Sequence, residues 1–222
     1  MTGLTFIYRT AKKIVGSLPA WLFRFRPFGV YEIPVNNSTA APRSHDASPW
    51  KLDCQVRWVA DQTEAATLRR VASQESIAAL NFTTRCAAAA WLEGQVVACA
   101  WIASESFEEA DLGLWFELQP TEVWLFAAMV DPPRRNQGVY SQLLKFLTAE
   151  FVGSDVRRIL LGVTLGNELS HRAHSSHGAM RIGTVVAVRM LGFTLCFRSG
   201  QVRRLSPVAF IRRQPIRLAV NP

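Results

Sequence analysis

"VDPPRRNQGVYSQLL", residues 130–144, sets two prolines, two arginines and one glycine between two apolar segments. Before it, "VWLFAAMV" (residues 123–130) has the length and composition of a buried strand. After it, Val139, Leu143, Leu147 and Phe151 recur every fourth residue, the spacing of an amphipathic helix. The stretch therefore joins a strand to a helix. A helix that starts directly after a strand presents unpaired backbone N–H groups and the positive end of its dipole, and the two together bind phosphate. Gly138 lets an anion approach the backbone closely, and Arg134 and Arg135 add charge. The Gly-Lys-Ser/Thr ending of a Walker loop is absent, and one glycine is too few for a dinucleotide fingerprint.

Outward from this connection the chain alternates between helical and strand patterns. "CQVRWVA" (54–60) reads as a strand, residues 64–80 are mostly helical, and "CAAAAWL" and "QVVACAWI" flank the turn Glu93-Gly94 as a hairpin. An acidic and aromatic loop, "SESFEEADLGLWFELQP", leads into the buried strand. Downstream come the helix to about Val152, a strand at "RILLGV", a helix from Asn167 to about His177, and a last β segment within residues 181–197. Strand, crossover helix and strand within about 40 residues imply a right-handed parallel βαβ unit. The hairpin makes the sheet mixed, so the fold class is α/β (α+β).

The ends of the chain have another character. Leu4, Ile7, Tyr8, Ala11, Ile14, Val15 and Leu18 fall on one face of a helix, with Arg9, Lys12 and Lys13 opposite, and the aromatic-rich "WLFRFRPFGVYEI" follows. Such a basic amphipathic stretch either packs on the main domain or lies in a membrane interface. "VNNSTAAPRSHDASP" lacks apolar periodicity and reads as a linker. The expected organisation is a basic N-terminal extension (1–34), a linker (35–50), one main domain (51–200) and a basic C-terminal segment (201–222).

A chain of 222 residues with 49% hydrophobic content can bury a real core. Its net charge of +8 is uneven, with nine arginines and no acid after residue 168. That bias suits phosphate-bearing ligands or, through residues 1–30, an anionic membrane surface. Nucleic acid is disfavoured as a partner, because no helix-turn-helix, zinc-finger or aromatic RNA-binding signature accompanies the charge. Cys54, Cys86, Cys99 and Cys196 are widely separated and form no C-x-x-C pair, as expected of reduced thiols in a cytoplasmic protein, peripheral at a membrane if the N-terminal helix binds there. No apolar run is long enough to span a bilayer. His171, His174 and His177 are spaced so that helical geometry spreads them, and no Cys or carboxylate cluster joins them; no metal site is expected.

The order of hairpin, buried strand ending "MVDPPRRNQGVYSQLL", parallel strand and helix opening "NELSHRAHSSHGA" resembles the GCN5-related N-acetyltransferase (GNAT) family over roughly residues 53–198. The family's first signature is Q/R-x-x-G-x-G/A. Arg135, Asn136, Gln137, Gly138, Val139 and Tyr140 match it except at the last place, where a tyrosine replaces the small residue. Its second signature has an Asn opening a helix, a small residue three later, an aromatic acid seven later and Gly-Phe at the end; Asn167, Ser170, His174 and Gly178-Ala179 stand in those places.

The resemblance implies a mixed, mostly antiparallel sheet with a central, splayed parallel strand pair and helices on both faces. It implies acetyl-coenzyme A as co-substrate, no metal, and a small-molecule or peptide amine as acceptor. Backbone amides from Gln137 to Ser141 would hold the pyrophosphate, Met129 and Val130 the pantetheine and thioester carbonyl, and Asn167 and Ser170 would face the cofactor. His174 stands where the family commonly has a tyrosine that protonates the departing thiolate. An imidazolium near pKa 6.5 can donate to a thiolate of basicity about 8.5, though a hydrogen-bonded spacer is the other reading of this histidine. The base that strips the amine is expected at Glu122, with Glu108, Glu109 and Asp111 as alternatives; Trp115 and Phe116 are candidates for the acceptor pocket. The resulting expectation is an N-acetyltransferase acting by direct attack of the amine on the thioester. The alternative is a non-catalytic, coenzyme A-binding or membrane-associated partner-binding protein of the same fold.

Overall fold

The computed structural model describes residues 22–35, 52–205 and 215–221. The amphipathic stretch 4–18, most of the linker and the arginines at 212 and 213 lie outside the described residues. The elements are β1 (Phe23–Pro34), β2 (Gln55–Trp58), α1 (Gln62–Ala65), α2 (Gln74–Ala78), β3 (Arg85–Leu92), β4 (Gln95–Ala103), β5 (Ser106–Glu109), β6 (Leu114–Glu117), β7 (Glu122–Val130), α3 (Val139–Glu150), β8 (Arg158–Thr164), α4 (Glu168–Ser175), β9 (Met180–Met190), β10 (Phe193–Gly200), β11 (Val202–Arg204) and β12 (Ile216–Val220). A 3-10 turn, Ala66–Arg70, extends α1.

Eight strands form one sheet in the order β10-β9-β1-β8-β7-β4-β3-β2, antiparallel except for the pair β7/β8. The period-2 alternation of side chains decides what covers each face. Ala88, Ala90, Leu125, Leu161 and Val163 meet Val139, Leu143, Leu144 and Leu147, the predicted apolar stripe of α3. On the other face, Ala87, Ala89 and Trp101 pack on Leu68 and Ile77 of the 62–80 segment. Further along that face Phe28, Val30, Trp124 and Leu160 pack on a second sheet, ordered β11-β12-β6-β5, through Leu114, Phe116 and Leu218. Alanines at the middle of β3 let a layer approach from each side without a cavity.

Three parts of the sequence fold otherwise than expected. Residues 23–34, grouped with the N-terminal extension, form a strand paired on both sides, with β8 and with β9. "FRFRPF" alternates apolar and basic residues, which is a strand signal, while Pro27 argues against a central strand. The proline is accommodated because pairing with β8 begins only at Phe28, so its missing N–H falls beyond the end of that ladder. The acidic loop is the hairpin β5/β6, with Gly113 at its bend at φ +62°. The C-terminal segment contributes β11 and β12, whose Val202, Ile216 and Leu218 are buried. No described helix is long and apolar enough to cross a membrane.

Candidate active site

β7 carries the irregularity on which the site is built. It pairs with β4 in regular register up to Trp101↔Phe126, and then a bulge shifts the register so that Cys99 faces Met129. Ala127 within the bulge has φ +47°, a left-handed conformation costly for an alanine. A bulge bends its strand. Accordingly the parallel ladder to β8 ends at Leu125↔Leu161, although β7 runs on to Val130 and β8 to Thr164. The two strands splay, and beyond that point one edge of β7 lacks a sheet partner among the described residues.

The orientation of that edge follows from its neighbour. Asp131 donates its N–H to Val97 O across β4. Adjacent residues of an antiparallel strand face alternately toward and away from the partner, so Val130 turns its N–H and C=O to the open side. There the carbonyl accepts from Arg135 Nε at 3.2 Å. The N–H is left on the cavity side.

The "PPRRNQG" connection closes in a short 3-10 turn, Pro132–Arg134, and then two left-handed residues, Asn136 (φ +60°) and Gly138 (φ +84°). Gly138 is the N-cap of α3 and supplies no side-chain acceptor; the first helical bond runs from Gln142 N–H to Gly138 O at 3.1 Å. The N–H groups of residues 139–141 therefore have no intrahelical partner. Val139 itself buries its side chain in the core and offers only its amide.

Both predicted stretches converge on one cavity of about 510 Å³, whose walls include Met129, Val130, Arg134, Arg135, Asn136, Gly138, Tyr140, Ser141, Asn167, Ser170 and His174. Asn167 caps α4, its side chain accepting from Ser170 N–H at 3.3 Å. Leu169 and Ala173 of the same helix, not singled out in the sequence, complete the wall; their spacing from Ser170 and His174 is the signal that could have found them. Gln137 does not reach the cavity with its side chain, which turns back to donate to Pro133 O at 3.0 Å. Unpaired amides at a helix start, two guanidinium groups and an open strand edge on one cavity fit a ligand with a phosphate end and an amide-bearing arm.

Two of the residues that depart from the family signatures touch each other. Tyr140 Oη lies 2.7 Å from His174 Nε2, and His174 Nδ1 lies 2.7 Å from the Ser170 carbonyl oxygen. A carbonyl only accepts, so Nδ1 carries the hydrogen and Nε2 is the acceptor of a neutral ring. Burial holds the His174 imidazole below its ordinary pKa; the Ser170 carbonyl pulls it the other way, and His177 and His171 add to the lowering. Burial likewise raises the Tyr140 phenol. The free imidazolium donor expected of His174 is therefore not its resting form. The other two histidines are engaged elsewhere, His171 Nδ1 with Tyr31 Oη at 2.6 Å and His177 Nε2 with Ser141 Oγ at 2.9 Å. Among the described residues no group of three or more His, Cys, Asp or Glu is arranged to hold a metal ion.

Glu122 is the clearest correction. It sits at the opposite end of β7, roughly 20 Å from Met129 at about 3.3 Å per residue. Its carboxylate is buried against Arg158, whose Nε and Nη2 donate to Oε1 at 2.9 and 2.5 Å, and it accepts Gln119 N–H at 2.9 Å. A carboxylate so engaged cannot reach an amine at the splay.

A second cavity, of about 140 Å³, opens at the splay on the other face of the sheet. Leu125, Phe126 and Ala127 of β7 and Gly162 and Thr164 of β8 form its floor, and Phe107, Glu109 and Arg26 its rim. A Cβ at Gly162 would stand 3.3 Å from the Phe28 ring, so glycine keeps this floor flat. Glu109 receives Arg26 Nη1 at 2.8 Å, yet burial outweighs that pairing and raises its pKa, with Asp111 adding to the rise. Trp124 also lines this cavity, its ring centre 4.5 Å from that of the buried Phe116, whereas neither Phe116 nor Trp115 is part of the wall.

The sequence model described as the acetyltransferase (GNAT) family matches residues 53–179. No curated protein matches the chain. Among solved structures, a conserved protein of unknown function from Staphylococcus epidermidis ATCC 12228 superposes with a TM-score of 0.52 at 12% identity, over 80% of this chain and 64% of that one. A protein from Novosphingobium aromaticivorans DSM 12444, described as an acetyltransferase from the GNAT family, gives 0.49 at 12% identity over 79% and 66%. The ribosomal-protein-S18-alanine N-acetyltransferase from Escherichia coli gives 0.44 at 18% identity over 57% and 77%. This chain thus spans less than two thirds of the length of the first two.

Proposed function

The chain belongs to the GNAT family of acetyltransferases, and from that premise we propose that it transfers an acyl group, acetyl by default, from coenzyme A to a primary amine. The observation that carries this reading is the convergence of two stretches some thirty residues apart, 134–141 and 167–174, on a single cavity beside an open strand edge. Bound there, the thioester supplies the activated acyl carbonyl. The N–H groups of residues 139–141, with Arg134 and Arg135, hold the pyrophosphate. The Val130 N–H, kept out of the sheet by the splay, polarises the acyl carbonyl.

The acceptor enters from the other face. The two cavities share β7 on either side of the Ala127 bulge, so an amine in the smaller one approaches the acyl carbon through the gap between β7 and β8. Glu109 takes the role first expected of Glu122: its raised pKa suits a base that removes one proton from an arriving ammonium group. Arg26 keeps it in place. The small volume of this cavity admits the end of a slim chain, as on a linear polyamine or a lysine, rather than a bulky ring.

Calorimetry with coenzyme A and acetyl-coenzyme A, followed by thioester consumption across a panel of linear amines, tests the proposal. Binding in the micromolar range and turnover with at least one amine are expected. No binding of either compound overturns the reading, and binding without consumption of the thioester favours the non-catalytic alternative.

A further inference from the structure

Resting on the acyl-transfer reading, we propose that Tyr140 and His174 act as one proton shuttle, carrying the surplus proton of the attacking amine to the sulfur that leaves. Among the described side chains lining the larger cavity these two form a direct hydrogen-bonded pair of an imidazole and a phenol, whereas Arg134 and Arg135 stay charged and the Ser141 hydroxyl is engaged with His177 Nε2. They stand in series: Ser170 O accepts from His174 Nδ1–H, and His174 Nε2 accepts from Tyr140 Oη–H, each at 2.7 Å. The rings meet edge to face, with planes at 81°. With its hydrogen aimed at Nε2, the phenol oxygen keeps its lone pairs for a donor in the cavity.

The proton count closes without an outside acid. Glu109 accepts one proton of the ammonium group before attack. The nitrogen then forms a C–N bond with the acyl carbon, the C–S bond breaks, and its electron pair stays on sulfur. The nitrogen carries one proton too many. That proton passes to Tyr140 Oη while the phenol's own proton moves to His174 Nε2, so no tyrosinate forms. The return transfer, Nε2 to Oη and Oη to sulfur, yields the thiol and restores the neutral pair. An imidazolium near 6.5 gives its proton downhill to a thiolate near 8.5, and the low resting pKa of His174 steepens the descent. Ser170 is the positioning residue, since its carbonyl selects the tautomer.

The test compares wild type with Tyr140→Phe, His174→Gln and the double variant. Coenzyme A affinity is measured by calorimetry, and the His174 tautomer by long-range nitrogen NMR. The hydrogen is expected on Nδ1 in the wild type. Each single variant should lose about 10²-fold in kcat with affinity kept within about threefold, and the double variant should lose no more than the worse single, as residues acting as a unit do. The amide introduced by His174→Gln would still accept the phenol hydrogen but cannot titrate, so full turnover in that variant points to a purely structural role and overturns the shuttle. The groups that face His174 are Tyr140 from α3, His171 on its own helix, His177 in the turn that follows it, and Arg134 and Arg135 across the cavity. Against that background the wild-type kcat falls on the acid side as His174 gains a proton, in addition to the fall set by Glu109, and His174→Gln keeps only the Glu109 part. Full activity of Tyr140→Phe, additive losses, or a hydrogen on Nε2 each overturn the proposal. Failure of the acyl-transfer reading looks different: the wild type itself then fails to bind coenzyme A or to turn over.

Discussion

The two ends of β7 are built on opposite rules. At Glu122 the carboxylate is held by partners: Arg158 bridges Glu122, Glu32 and the Asn221 carbonyl, and the parallel ladder to β8 is intact. At Val130 the ladder has stopped, the strand is bulged at Ala127, and backbone groups face a cavity. The same nine residues thus anchor the sheet at one end and open it at the other. The ion pairs of Arg158 with Glu32 and Glu122 join β1, β7 and β8 at the closed end.

The largest expected effect breaks the closed end. Arg158→Ala leaves the Glu122 carboxylate buried without its partner and should cost about 3–5 kcal/mol, read as a fall in urea midpoint and in Tm. If stability is unchanged, the two ends are not the contrast described. The open end is tested by Val130→Pro, which removes the one N–H assigned to the acyl carbonyl without removing a sheet bond. A loss of about 10²–10³-fold in kcat with near-native coenzyme A affinity is expected; unaltered turnover removes Val130 from the mechanism. The smallest effect concerns Glu109→Gln, with a loss of about 10²-fold in kcat/KM at alkaline pH. The wild-type profile should rise as pH passes through the raised pKa of Glu109, and the variant should lack that rise. Stability has the opposite sign. A carboxyl whose folded pKa lies above its unfolded value stabilises the fold below that unfolded value, near 4.3, and the contribution is lost as pH climbs through the folded pKa. The glutamine variant should therefore gain on wild type between acid and neutral pH in urea titrations.

Much of the larger cavity could be read from the sequence because its residues are close together in the chain. Gly138 and Asn167 mark helix starts by local rules, and a helix start fixes which amides are free. Tyr140 and His174 were visible as two separate departures from a pattern. Their hydrogen bond, which turns two oddities into one device, spans 34 positions and needs the helices α3 and α4 side by side. Glu122 was misplaced for a related reason. Strand alternation told which face it shares with Trp124 but not that Arg158, paired opposite it in β8, would claim it. Glu109 and Arg26 are 83 positions apart and meet only because β1 joins the sheet next to β8 while β5 folds over it.

The sequence by itself determined the alternation of strands and helices, the helix start that leaves the amides of residues 139–141 free, and the face of α4 that carries Ser170 and His174. Those properties depend on periodicity and capping within a few residues. The tertiary structure alone decided where β1 inserts, how far β7 separates from β8, which carboxylate stands at the gap, and which protonation state His174 holds. Each of these depends on burial and on partners brought from distant parts of the chain.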